Sequence, residues 1–250
     1  MLPLRDENPT RRFPVLTVGL IALNVAAFLY QLSRPNDGNE SDSQDAIVCK
    51  WGAIPGVIFH NAGSIRPTGD VTCEFLNNQE PAFTSLLTSQ FLHGGWAHLL
   101  GNMLFLWIFG NNVEDRLGRI RFLPFYLVGG VGAALAQGFT DTNSLSPLIG
   151  ASGAISAVLG AYLILFPKAK VLTLLGWIPL RIPAWAVIGG FIALQFFYLA
   201  GQSADGDSVA YWAHVGGFVA GALFIKVFLF GRPNEVQRSG ELASHRSQRR

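Results

Sequence analysis

The sequence predicts an all-α membrane protein with six transmembrane helices and a long first loop on the outer face. Three observations support this prediction. Half of the 250 residues are hydrophobic and only 14% are charged, whereas a soluble domain carries about 25% charged residues. Six apolar stretches approach the length of about 20 residues that a spanning helix needs. Lys and Arg are unevenly shared between the connecting loops. We therefore expect the lipid bilayer, and no nucleic acid, as a partner.

The six apolar stretches define the predicted spans. They cover residues 14–32, 96–113, 122–139, 145–166, 183–201 and 209–230. None carries Asp, Glu, Lys or Arg in its middle, and Lys226 lies near the inner end of the sixth, where it can reach the headgroups. The apolar piece between Lys170 and Arg181 is too short to span and contains Pro179, so we predict an interfacial connection. The first stretch is too long for a signal-peptide core and should be retained.

The distribution of basic residues predicts the orientation. Arg and Lys concentrate in the N-terminal tail, the second and fourth loops and the C-terminal tail, and the third and fifth loops have none. The long first loop, 33–95, has three basic residues against seven acidic ones. Because basic loops stay in the cytoplasm, both termini are predicted there. The chain then divides into an N-terminal tail at 1–13, a six-helix domain at 14–230 and a basic C-terminal tail at 231–250.

The long first loop holds both cysteines, Cys49 and Cys73. In an oxidising compartment they can form a disulfide, and two unpaired thiols fit the sequence equally well. The segment 51–60 looks amphipathic, which indicates a piece lying in the membrane interface. Short tails without a transit-peptide pattern favour a bacterial plasma membrane.

Polar residues of three predicted helices lie at one depth. The second span contains His98 and Asn102, which are four residues apart and share a helix face. The fourth contains Ser152, roughly 10 Å below its predicted start at 1.5 Å per residue. The sixth contains His214 at a similar depth. The sequence therefore predicts that a serine, two histidines and an asparagine meet.

Each of these residues also has a purely structural interpretation. A small-residue packing face accounts for Gly150, Ser152 and Gly153. The GxxxG pair Gly217 and Gly221 is typical of close helix packing. The histidine and asparagine of the second span can be hydrogen-bonding groups between helices. An ionisable residue inside a span is, however, a functional candidate by default, so the combination favours function.

The four side chains suit acyl transfer. A serine hydroxyl is a weak nucleophile and needs a base, and His214 can take the Ser152 proton and deliver it to the leaving amine. The side chains of His98 and Asn102, with the backbone N–H of Ser152, can stabilise the oxyanion. No aspartate lies at this depth, so a dyad is expected. The sequence has no HExxH pattern, and we expect no metal and no cofactor.

These residues resemble the rhomboid family of intramembrane serine proteases. The likeness covers about residues 75–225 and rests on four runs in order. The runs are HGGxxHxxxN from His93 to Asn102, Glu114 and Gly118 after the second span, GxSG at 150–153, and AHxGGxxxG from Ala213 to Gly221.

The resemblance implies a rhomboid-like bundle with a water-filled cavity open to the outside. In that bundle Ser152 is the nucleophile, His214 the base, and His98 and Asn102 the oxyanion groups. The GxxxG pair would hold the sixth helix against the fourth. Family members cut transmembrane segments of single-pass proteins near the membrane surface, so such proteins are the expected substrates. The resemblance specifies no oligomeric state.

Position 156 departs from the family pattern. Many members carry an aromatic residue four positions after the serine, where it packs on the catalytic histidine, and this chain has Ser156. A hydrogen bond from its hydroxyl is one way to orient His214. His93, just before the second span, is expected to support the site or to shape the loop.

Two other classes of membrane protein were weighed against a protease. An inactive relative that binds membrane clients would usually lack the serine or the histidine, and both are present. A transporter or channel tends to place charged residues at mid-membrane or to show repeat symmetry, and this sequence does neither. The sequence predicts a serine endopeptidase, with client binding as the alternative.

Overall fold

The computed structural model is mostly helical and describes residues 2–35, 43–60, 64–68, 72–76, 82–201 and 210–231. The predicted fifth loop and nearly all of the basic C-terminal tail lie outside these residues. Three described helices are long and apolar enough to cross a membrane, namely Val15–Leu32, Arg119–Gly138 and Tyr211–Leu229. Two shorter apolar helices are Ser152–Leu165 and Ala184–Phe197.

The described helices include all six apolar stretches at least in part, and three further helices lie in the long first loop. They are α1 Val15–Leu32, α2 Gln44–Trp51, α3 Pro55–His60, α4 Ala82–Thr88, α5 Trp96–Phe105, α6 Asn111–Leu117, α7 Arg119–Gly138, α8 Ser152–Leu165, α9 Ala184–Gly201 and α10 Tyr211–Leu229. A single π-helical turn, Leu106–Gly110, joins α5 to α6, so the predicted second span is one helical path in three pieces. A 3₁₀ turn, Ser89–Phe91, follows α4.

Small residues bring α8 and α10 into backbone contact. A Cβ added at Gly217 would overlap the carbonyl oxygen of Gly153, and one at Gly221 would overlap that of Ala157. In the other direction, a Cβ at Gly160 would overlap the carbonyl oxygen of Phe218. Because only glycine lacks this atom, the two helices meet along a seam that larger residues would open.

The fourth predicted span begins later than the sequence indicated. We expected a helix from residue 145, and α8 begins only at Ser152. The preceding segment is extended: the backbone of Leu148 exchanges two hydrogen bonds with Ala53, of 2.8 and 3.0 Å. Pro147 disfavours helix at the residue before it, and Gly150 has φ +116°. Ser152 therefore lies at the first residue of its helix, not two turns inside it.

Five short strands correct the expectation of an all-α fold. The interfacial connection predicted between 170 and 181 is a β-hairpin of β4 Lys170–Leu175 and β5 Ile178–Pro183, with Gly176 at its turn. The expected N-terminal tail contributes β1 Leu2–Asp6, antiparallel to β4, which gives the order β1-β4-β5. Val171 and Thr173 point inward and are fully buried. A sheet with one buried face therefore closes this end of the bundle.

We call the end of the bundle with this sheet the sheet end, and the end with Ser152 the site end. The sheet end is tied to the helices by buried polar groups. Asp6 Oδ2 accepts hydrogen bonds from Asn112 Nδ2 at 2.6 Å and from the Tyr162 hydroxyl at 2.8 Å. Glu114 accepts from the backbone N–H groups of Leu16 and Thr17 and from the Thr17 hydroxyl. A carboxylate thus caps the N-terminus of α1.

The long first loop packs on the site end through a small core of its own. Cys49 and Cys73 are joined by a disulfide, with 5.8 Å between their Cα atoms, which decides between the two states that the sequence allowed. Buried Ile54 and partly buried Val57 pack against this bridge. A hairpin of β2 Ser64–Thr68 and β3 Thr72–Leu76 carries the second cysteine. Part of the segment 51–60 is therefore packed against protein, and its place in the membrane interface stays a prediction.

Candidate active site

A cavity of about 690 Å³ lies at the site end, beside the first turn of α8. The four residues that the sequence predicted to meet all line it: His98, Asn102, Ser152 and His214. Ile155, Leu159 and Phe191 contribute apolar walls. The structure thus brings together residues from three different helices in one chamber.

The contact between serine and histidine is the centre of this cavity. His214 Nε2 lies 2.9 Å from Ser152 Oγ, which is hydrogen-bond distance. Ser152 opens α8, and His214 lies in the first turn of α10. The glycine contact between Gly217 and Gly153 holds these two helix ends together. An imidazole nitrogen at this distance can take the hydroxyl proton and so activate the oxygen as a nucleophile.

Two side chains of α5 point donors toward the same chamber. The N–H of Gly94 donates to His98 Nδ1 at 3.4 Å, so in the neutral ring the other nitrogen, Nε2, carries the proton. Asn102 is 9% exposed, and its Nδ2 has no hydrogen-bond partner among the described residues. A buried amide donor without a partner is costly. Both groups are thus available to an anionic oxygen in the cavity.

Gly150 allows the His98 ring to approach Ser152. A Cβ at Gly150 would lie 2.7 Å from Cε1 and Nε2 of His98. Its φ of +116° also falls where other residues are strained. The N-terminus of α8 adds its own effect, because the first N–H groups of a helix have no intrahelical acceptor and carry partial positive charge. The late start of α8 therefore places this charge at the nucleophile.

His93 lies behind His98 and does not line the cavity. Its side chain is fully buried, and its ring lies edge-on to that of His98 with 5.1 Å between centroids. Gln31 fixes its backbone, donating to the His93 carbonyl at 2.9 Å and accepting from its N–H at 3.3 Å. Burial, and to a smaller degree the nearby His98, lowers the pKa of His93 to about 4, so this ring is neutral near pH 7.

Gln195 contacts the second nitrogen of His214, and the sequence analysis missed it. Its Oε1 lies 2.9 Å from His214 Nδ1. Gln195 lies in α9, in the predicted fifth span, for which the sequence pattern had indicated no site residue. A glutamine inside an otherwise apolar span was the available signal.

The expected hydrogen bond from Ser156 is absent from the structure. Ser156 is 1% exposed, and its hydroxyl has no partner among the described residues. A different residue packs near the imidazole: the ring of Phe191, one turn before Gln195 in α9, lies 6.1 Å from it at an angle of 42°. The aromatic neighbour of His214 thus comes from α9, not from α8.

Comparison with known proteins identifies relatives of this chain. The family model described as the Rhomboid domain matches residues 80–230. Rhomboid protein 1, mitochondrial, of Saccharomyces cerevisiae is 33% identical over 56% of this chain and 40% of its own length. Rhomboid-related protein 1 of Caenorhabditis elegans is 30% identical over 87% of this chain and 56% of its own.

A further relative carries an activity in its name. Rhomboid-like protease 5 of Toxoplasma gondii is 34% identical over 54% of this chain and 15% of its own length. In all three cases the match spans little more than half of the relative, or less. The residues matched by the family model, 80–230, include His98, Asn102, Ser152 and His214.

Proposed function

The chain is an integral membrane protein that belongs to the rhomboid family, and on that premise we propose that it is a serine endopeptidase acting within the membrane. The observation that supports this most directly is the 2.9 Å contact between His214 Nε2 and Ser152 Oγ. Its substrates would be single-pass membrane proteins, cut in or near their transmembrane segments. It would need no metal and no cofactor.

The proposed reaction begins at the Ser152 hydroxyl. His214 Nε2 accepts its proton while Oγ attacks the carbonyl carbon of the scissile peptide bond. The resulting oxyanion accepts hydrogen bonds from the His98 ring, the Asn102 amide and the backbone N–H of Ser152. His214 then gives the proton to the departing amine, and Oγ is left acylated. Water, deprotonated by His214, hydrolyses the acyl-enzyme and restores the serine.

We also propose the six-span arrangement that the sequence predicted. In it the protease domain is residues 14–230, flanked by the tails 1–13 and 231–250, with both tails on the side of the basic loops. The sheet end would then face the cytoplasmic side, and the cavity would open on the other. The compartment is a separate matter, because the yeast relative is named as mitochondrial and gives no support to a bacterial plasma membrane.

A serine-directed probe tests the proposal without knowledge of a substrate. The full chain in mild detergent is treated with a fluorophosphonate, beside Ser152→Ala and His214→Ala. We expect the wild type to be labelled and both variants to remain unlabelled, since the first lacks the nucleophile and the second its base. A folded wild type that resists labelling would contradict the protease proposal and would favour a protein that binds clients without cutting them.

A further inference from the structure

We propose that Gln195 is the positioning residue of the site, the third member of a Ser152–His214–Gln195 arrangement. This inference rests on the proposed function, because it assigns a role relative to the same nucleophile and base. It replaces the dyad that the sequence predicted. Position 156, where many family members have an aromatic residue, does not position His214 here. The Ser156 hydroxyl has no hydrogen-bond partner among the described residues.

The location of Gln195 is the first argument. Its helix is mostly apolar, and its neighbours Leu194 and Phe196 are each 47% exposed. Gln195 itself is only 8% exposed and points inward to His214. An amide on an apolar, membrane-facing helix is costly unless it finds a partner. Its partner is the proposed base, with 2.9 Å between Gln195 Oε1 and His214 Nδ1.

The direction of the protons is the second argument. His214 Nε2 can accept the Ser152 proton only if Nε2 has none of its own, so the neutral ring must carry its proton on Nδ1. An amide oxygen accepts and cannot donate. With Oε1 facing Nδ1, Gln195 stabilises this tautomer. After proton transfer, the same oxygen continues to accept from Nδ1–H of the imidazolium.

The orientation of the ring is the third argument. Phe191 and Gln195 are four residues apart and share one face of α9. Phe191 packs beside the imidazole at 6.1 Å, and Gln195 fixes its Nδ1. One helix, which supplies neither the nucleophile nor the base, thus provides both contacts. An amide oxygen in this position accepts from Nδ1–H and orients the ring, as the triad carboxylate does but without its charge, and it has a counterpart in the asparagine of Cys-His-Asn proteases.

Two substitutions separate the effect of Gln195 on the orientation of the His214 ring from its effect on packing. Gln195→Leu keeps most of the volume and removes the acceptor, whereas Gln195→Glu keeps an acceptor. The readout is fluorophosphonate labelling of the full chain, resolved into the maximal rate and the probe concentration at half-maximal rate. We expect Gln195→Leu to lower the maximal rate about 10- to 100-fold. The half-maximal concentration should stay within about 2-fold, and Gln195→Glu should recover most of the rate.

Gln137→Leu is the matched control for a general loosening of this region. Gln137 Oε1 accepts from the backbone N–H of Ala213, next to His214, at 3.2 Å and does not contact the imidazole. Its loss should lower the thermal midpoint and leave the maximal labelling rate of the folded protein within about 2-fold. A rate loss in Gln137→Leu as large as in Gln195→Leu would show that packing, not orientation, is responsible.

The tautomer can also be read without any reaction. The chain has five histidines, so ¹⁵N-histidine spectra in lipid are simple, and His214→Ala identifies the signals of His214. We expect the wild-type ring to be protonated at Nδ1, and a mixture of tautomers in Gln195→Leu. Protonation at Nε2 in the wild type, or an unchanged tautomer in Gln195→Leu, would overturn the inference. This measurement decides even if the wild type is not labelled, an outcome that counts against the proposed function alone.

Discussion

The two ends of the bundle treat the same kind of side chain in opposite ways. Asn102 and Asn112 lie on one helical path, ten residues apart, and both are buried. At the sheet end, Asn112 Nδ2 donates to Asp6 Oδ2 at 2.6 Å. At the site end, Asn102 lines the cavity, and its buried Nδ2 has no partner among the described residues.

This contrast indicates that the fold loses stability at the site end, where a buried donor stays unpaired. A buried donor without a partner costs about 1–3 kcal/mol, and the sheet end avoids that cost by pairing its donors. In the proposed reaction, the site end keeps donors free for an oxyanion that forms only while the peptide bond is cut. Changes at the site end should therefore affect rate, and changes at the sheet end should affect stability.

The largest effect is expected from Asn102→Ala. Removal of one oxyanion donor lowers the rate by about 10²- to 10³-fold, so cleavage of a model transmembrane substrate should fall by that factor. The thermal midpoint should not fall, because the Asn102 amide donates to no protein group that its removal would leave unpaired. A thermal midpoint that falls with little change in rate would show that Asn102 is structural, and the contrast between the ends would fail.

Glu114→Ala should give the largest loss of stability at the sheet end. It removes the acceptor of three hydrogen bonds at the N-terminus of α1, and we expect the free energy of unfolding to fall by about 2–3 kcal/mol. Denaturant titration in mixed micelles measures it. Asp115→Ala is the matched control, because its exposed contact with the Arg11 N–H should contribute less than about 1 kcal/mol.

Asn112→Ala mirrors the first substitution at the other end of the same helical path. It leaves Asp6 with the Tyr162 hydroxyl as its remaining side-chain donor. We expect the free energy of unfolding to fall by about 1–2 kcal/mol and labelling of the folded protein to stay within 2-fold, roughly the precision of the assay. If the labelling rate instead falls sharply while the free energy of unfolding is unchanged, the sheet end contributes directly to catalysis.

Asp6→Asn should have an effect that depends on pH and nearly vanishes in acid. Burial raises the pKa of Asp6 to about 6, although the Tyr162 hydrogen bond partly opposes this. The folded state therefore binds the proton more tightly than the unfolded state, and stability falls as pH rises from about 4 to about 6. Asparagine keeps an acceptor and cannot ionise. The variant should match the wild type at pH 4 and exceed it by about 1–2 kcal/mol at pH 8; a difference independent of pH would contradict this.

The sequence predicted the cavity residues because they lie at helix positions that a hydropathy pattern can place. The depth argument for Ser152 was nevertheless wrong in its detail. Its predicted span included 145–151, which are mostly apolar but not helical, since Pro147 disfavours helix before it and Leu148 pairs with Ala53. Apolarity alone does not distinguish a helix from an extended segment buried in protein.

The sheet and Gln195 escaped prediction for a different reason. Strand β1 forms by pairing with β4, which is far away in the chain. A segment as short as Leu2–Asp6 contains no pattern that indicates this partner. Gln195 is recognisable as a site residue only through its contact with His214, which lies in a different helix. Both depend on long-range contacts, which a reading of one segment at a time does not contain.

The sheet also has a consequence for the order in which this protein is completed during synthesis. Asp6 and its partner Tyr162 are 156 residues apart, and β1 pairs with a hairpin later still in the chain. Strand β1 therefore cannot reach its final place until α8 and the hairpin have been synthesised. At about 5–20 residues per second, that is a wait of roughly 10–30 s, during which the N-terminal strand is an unpaired edge within reach of other chains.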